Sequence, residues 1–95
     1  MAFSAASHAF TGTEITAWAV NAQKEPRGSD AMALSAYVAA VVDGRNNVDF
    51  CLPSHATYQD AINLVKPFAM DWPVYATGSG AWLVTNAIRT KYPCN

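Results

Sequence analysis

Phe50-Cys51-Leu52-Pro53, in the middle of the chain, and Tyr92-Pro93-Cys94, just before its last residue, contain the only two cysteines of the sequence. A disulfide between them would close the C-terminal half into one covalent loop. In the chain-entropy account, closing a loop of about 44 residues stabilises a fold by about 4 kcal/mol. That is comparable with the whole folding free energy of a small domain. Such a bond also carries an address, because disulfides persist in secreted and periplasmic proteins and are scarce in reducing cytosol. The alternative is two separate buried thiols acting as small apolar side chains.

Between the cysteines the spacing predicts two helices. The first begins between Ser54 and Thr57. Tyr58, Ala61, Ile62, Val65 and Phe68 or Ala69 form its buried stripe, while Gln59, Asp60, Asn63 and Lys66 face outward. Pro67 lacks an amide and crowds the preceding turn, so a kink or an end is expected there. Asp71-Trp72-Pro73-Val74-Tyr75 then reads as a rigid, aromatic-bearing connection. Thr77-Gly78-Ser79-Gly80 leads into the last helix, with Ser79 or Thr77 as its cap. Ala81, Val84, Ala87 and Ile88 repeat helically there, Trp82 and Leu83 widen the apolar surface, and Pro93 ends the element beside Cys94.

Two further helices are predicted before Phe50. Thr11-Gly12-Thr13-Glu14 fits a capping box, with Phe10 and Ile15 in the flanking staple positions. Ile15, Trp18, Ala19 and Ala22 follow on one face, and Lys24-Glu25-Pro26-Arg27-Gly28 is a solvated turn. The next helix starts near Ser29 or Asp30, either of which can cap it, and buries Ala31, Leu34, Val38 and Val41. Ala33, Ala36, Ala39 and Ala40 keep its remaining surface small, which lets another helix approach within the fold or across a dimer interface. Asp43-Gly44 stops this helix, and Arg45-Asn46-Asn47-Val48-Asp49 is a polar loop. No long run alternates as a half-buried strand does. The expected fold is all-α, a bundle of about four helices with one disulfide, Cys51–Cys94.

Composition narrows the function classes. With 95 residues, 52% of them apolar, the chain is one globular domain. Residues 11–95 are expected to form it and residues 1–10 to be a flexible tail or signal-peptide remnant. The amino terminus has no basic segment and no full hydrophobic stretch, yet Ser7-His8-Ala9 fits a small-x-small cleavage site. The net charge is −1, with no basic cluster to neutralise a phosphate backbone, which argues against nucleic acid. No apolar run approaches a membrane span.

A set of residues in order carries a resemblance. Ala36-Tyr37-Val38-Ala39-Ala40-Val41-Val42-Asp43, Phe50-Cys51-Leu52-Pro53, Gln59, Val65-Lys66-Pro67-Phe68, Pro73 and Tyr92-Pro93-Cys94 together resemble the Rap/Tai family over about the last two-thirds of the chain. Its pattern is a Gly-Tyr-Val-x-Gly-like helix ending in Asp, a Phe-Cys-x-Pro turn, a Gln-bearing helix and a terminal Phe-Pro-Cys. Ala36 and Ala40 stand where glycines often flank the tyrosine, and Leu34 where many members carry a further cysteine. The resemblance implies a small, helical, disulfide-bonded periplasmic protein, often homodimeric. It also implies immunity against a peptidoglycan-cleaving amidase effector delivered by type VI secretion.

An inhibitor of that kind must fill a cleft and cover a reactive cysteine and histidine with something rigid. Aromatic anchors on a constrained loop suit this, because they bury large areas at small conformational cost. Trp72, Val74 and Tyr75 are the first candidates, with Asp71 and Thr77 as polar rim. Arg45, Asn46, Asn47 and Asp49, just before the disulfide, are the second. Trp72 and Tyr75 could instead cap the helical core, and the Arg45–Asp49 loop could simply be solvated. Catalysis is not expected: Cys51 with His55 suggests a nucleophile and base, but nothing orients the base. Adding Cys94 gives only three metal ligands. No cofactor or metal is expected, and His8 is read as tail. The competing reading is a small periplasmic structural or chaperone-like protein without a dedicated effector partner.

Overall fold

The computed structural model describes residues 10–95. It contains four α-helices: α1 (Gly12–Lys24), α2 (Ser29–Arg45), α3 (Tyr58–Asp71) and α4 (Gly80–Lys91), with a 3₁₀ turn over Pro73–Thr77 before α4. Among the described residues there are no strands, only isolated bridges at Thr11–Ser79 and Asn46–Phe50. The all-α expectation is met. Residues 1–9 of the expected tail, His8 included, lie outside the described residues.

Each helix starts for a local reason. Thr11 caps α1 in a complete capping box: its hydroxyl accepts from the Glu14 amide, and the Glu14 carboxylate accepts from the Thr11 amide at 2.9 Å. The Phe10 ring, the expected partner of Ile15 in a staple, lies edge-on to Trp18 at 5.0 Å and to Tyr37 at 5.6 Å. Thr57 and Asp60 form a second capping box at the start of α3, and Ser79 caps α4 by accepting from the Trp82 amide.

Four local expectations need correcting. Helix α2 is capped by the backbone of Gly28, not by Ser29 or Asp30, and no side chain takes the cap bond. The Asp30 carboxylate instead accepts from Asn21 Nδ2 at 2.6 Å, tying the end of α1 to the start of α2. The same helix runs through Asp43 and Gly44 to Arg45, with Asn46 as its C-cap. Glycine weakens a helix interior by only about 1 kcal/mol, so burial of Val41 and Val42 outweighs it. The reversal falls on Asn47, whose φ of 68° is the left-handed conformation that asparagine tolerates. Of the kink or end expected near Pro67, the end falls four residues later, at Asp71, and α3 passes through the proline. The buried Val65 and Ala69 hold the helix on both sides, while Pro67 and Asn63 are exposed, so the carbonyl freed by the missing amide faces water. Finally, Tyr58 is exposed rather than part of the buried stripe. Its hydroxyl donates to Asp43 Oδ1 at 2.5 Å, which links α2 to α3 and raises the Tyr58 pKa above the ordinary tyrosine value.

The core draws on every helix: Ile15 and Ala19 from α1, Leu34 and Val38 from α2, Ala61 and Val65 from α3, and Leu83, Val84 and Ile88 from α4. Phe50 lies fully buried among them although it belongs to a connection. Cys51 and Cys94 are bonded to each other across a separation of 43 residues. Beside the bond, the Cys51 amide donates to the Tyr92 carbonyl at 2.9 Å. The end of α4 is therefore joined both covalently and by hydrogen bond to the segment that inserts Phe50.

Candidate functional site

The connection from α3 to α4 is built to stand still. Trp72 ends α3, its amide donating to the Phe68 carbonyl, and Pro73 at the first 3₁₀ position cannot extend the α-helix. The Thr77 hydroxyl donates to the Val74 carbonyl at 2.8 Å, and the Tyr75 amide to the Trp72 carbonyl at 3.1 Å. The turn and the start of α4 are then fastened to the start of α1 and the residues before it by three hydrogen bonds. Gly12 N donates to the Gly78 carbonyl at 2.8 Å, Thr13 Oγ1 to the Ala76 carbonyl at 3.1 Å, and Gly80 N to the Phe10 carbonyl at 2.7 Å.

Gly12 makes this docking possible. A Cβ at that position would lie 2.2 Å from the Tyr75 carbonyl oxygen and 2.7 Å from Ala76 Cα. These are backbone atoms that cannot swing aside. Gly12→Ala is expected to destabilise the protein by about 1–3 kcal/mol through overpacking, with the 3₁₀ turn lifted off α1. Thermal melting and amide exchange of Ala76 and Gly78 check this, and a melting temperature equal to that of the parent would contradict it.

On this frame the aromatic rings form a row. Phe68 lies 6.3 Å from Trp72 and 4.9 Å from Tyr75, and Tyr75 lies 4.6 Å from Trp82. Their exposure separates the candidates. Trp72 is 56% and Val74 59% exposed, whereas Tyr75 is partly buried and packs against the core. Trp72 therefore does not cap the core; Tyr75 both supports the core and shows an edge. Asp71 and Thr77 are exposed beside them.

The second candidate segment is a tight, self-bonded turn. The amides of Val48 and Asp49 both donate to the Arg45 carbonyl at 3.0 Å, and the Asn47 amide donates to the Phe50 carbonyl at 2.7 Å. Arg45 Nη1 lies 3.3 Å from Asp49 Oδ2. Asn46 Oδ1 accepts from the Leu52 amide at 2.9 Å, so this side chain is committed to shaping the chain next to Cys51. Asn47 and Val48 project into solvent.

Trp82 joins the two segments. On one side its ring packs at a tilt against Tyr75. It also lies over Gly78, where a Cβ would meet Trp82 Cε3 at 2.4 Å. On the other side it lines a groove of about 280 Å³ together with Arg45, Asp49, Ser79, Ala81, Thr85, Asn86 and Arg89. From the sequence, Trp82 is expected only on the apolar surface of α4, and no role is expected for Arg89. The signal was there in the helical register. Trp82, Asn86 and Arg89 recur at four and three residues on the more exposed side of α4, with the buried Thr85 at its border with the Leu83–Val84–Ala87–Ile88 stripe.

No catalytic centre is assembled by the cysteines. Cys51 is oxidised to Cys94 and offers no thiolate to the exposed His55. Among the described residues no three metal-ligating side chains cluster. The arrangement is suited to binding a protein: a rigid turn with projecting aromatic and aliphatic side chains, beside a polar groove.

No curated protein shows significant similarity to the chain. A family model does match, that of Rap1a immunity proteins, over residues 11–94. This stretch takes in the capped start of α1, both candidate turns and both cysteines, and the chain belongs to the family of Rap1a immunity proteins.

Proposed function

We propose that this chain is a periplasmic immunity protein that binds a peptidoglycan-cleaving amidase delivered by type VI secretion and blocks its active-site cleft. Family membership supports the immunity role. The Cys51–Cys94 bond supports an oxidising compartment. No helix of the described residues is long and apolar enough to cross a membrane. Residues 11–95 act as the single binding domain, needing no cofactor and carrying out no chemistry of their own.

The observation that carries the binding reading is the exposed, clamped turn. Trp72 and Val74 would enter the cleft, Tyr75 would brace them, and Asp71 and Thr77 would form the polar rim. Arg45, Asn47 and Asp49 would touch the cleft's outer edge, with Asn46 holding their turn in shape. Inhibition is then steric: large side chains displace water and substrate from the reactive cysteine and histidine. The clamping by α1 means that little conformational freedom is lost on binding. Self-association belongs to the same reading. The exposed Met32 borders a shallow apolar groove with Ala36 and Ala39 of α2, which suits a second copy.

The test is co-purification of the chain with the peptidoglycan amidase encoded beside its gene, followed by peptidoglycan digestion with and without the chain. The expected result is a discrete complex that no longer digests. A tight complex that digests normally would refute inhibition. Suppression of aggregation at low pH without any discrete complex would point to the chaperone-like alternative.

A further inference from the structure

The groove beside Trp82 contains an arginine that the reading above leaves idle. Among the described residues the one ion pair is Arg45–Asp49, so Arg89 has no carboxylate of its own. Arg89 Nη2 donates to Asn86 Oδ1 at 2.7 Å, and Asn86 Nδ2 donates in turn to the Trp82 carbonyl at 2.7 Å. These two bonds steer the guanidinium toward the groove and use one of its five N–H donors. Asp49 balances only one of the two arginines that line the groove, leaving one positive charge in excess. The Arg45–Asp49 pair is half-exposed, on the Arg45 side above all, so it is held only weakly. Trp82, 44% exposed, supplies an apolar wall. At about 280 Å³ the groove falls just below the usual range for small-molecule pockets, a size for one side chain and its neighbour.

The geometry points to a socket for an acidic side chain of the partner protein: an Asp or Glu carboxylate held by Arg89 with Arg45 alongside, its apolar neighbour laid on Trp82. A planar guanidinium takes a carboxylate through two parallel hydrogen bonds, which fixes orientation as well as adding affinity. In this arrangement the aromatic turn supplies affinity and the socket supplies partner choice. The inference rests on the immunity reading, because that reading defines the partner.

The test measures binding of the full chain to the amidase encoded beside its gene, by isothermal titration over a range of salt concentrations. Arg89→Gln is expected to weaken the complex roughly ten- to hundredfold and to flatten its salt dependence. Arg89→Lys should recover only part of the loss, since it restores charge without the fork. Arg89→Glu should abolish binding and be rescued by reversing one Asp or Glu on the amidase to Lys. Circular dichroism and melting should stay at parental values, because Arg89 is exposed. Unchanged affinity and salt dependence in Arg89→Gln would overturn the socket while leaving the immunity reading intact. Failure of the parent chain to bind the amidase would overturn both.

Discussion

Replacing Trp72 and Tyr75 together by alanine is expected to weaken the effector complex by about 4 kcal/mol, close to a thousandfold in Kd. The two residues should contribute in different ways. Trp72 is 56% exposed and, among the rings of the described residues, leans on Phe68 alone, so Trp72→Ala should cut affinity while leaving folding stability within about 1 kcal/mol of the parent. Tyr75 sits between Phe68 and Trp82 and packs on the core. Tyr75→Ala should therefore lower the melting temperature as well, losing two aromatic contacts of about 0.5–1.5 kcal/mol each. Titration of the effector against each single variant, alongside its thermal melt, separates anchor from support. Parental affinity in Trp72→Ala would remove the turn from the interface, whatever the double variant does.

The second large effect concerns the bridge between the middle of the chain and its end. Cys51→Ala with Cys94→Ala, or reduction of the parent protein, is expected to lower stability by about 4 kcal/mol. For a domain of this size that corresponds to a fall of roughly 15–30 °C in melting temperature. The loss should be felt first where the bond acts. The Tyr92 carbonyl would no longer be held on the Cys51 amide, and the last turn of α4 would fray. Because α4 carries Trp82 and Arg89, effector binding should weaken in the reduced protein too. Calorimetry with and without reductant, together with thiol titration of the native protein, checks this. Two freely reacting thiols in the unreduced native molecule would contradict the bond and remove the support for a periplasmic address.

The starts of α1, α3 and α4, most of the buried stripes and the cysteine pair were legible in the amino-acid sequence, because each depends on neighbours or on simple counting. Thr11 with Glu14 lies within one turn, Val84 and Ile88 repeat at helical spacing, and two cysteines permit only one intramolecular pairing. The family pattern was legible for a similar reason, as an ordered series of short motifs. Tertiary structure decided the rest. Gly44 and Pro67 look like stops, yet both lie inside helices, because burial of Val41 and Val42 before the first, and of Val65 and Ala69 around the second, exceeds a local penalty that faces solvent. Asp30 looks like a cap and serves as a tie to Asn21, a choice set by where α1 ends. The groove beside Trp82 was legible only on its α4 side, in the helical register; Arg45 and Arg89 stand 44 positions apart, and only the packing of α4 beside the end of α2 makes them neighbours. Local hydrogen bonds and periodicity act over a few residues and so are written in the order of the letters. A binding surface is a sum over segments, and it exists only once the core has brought them together.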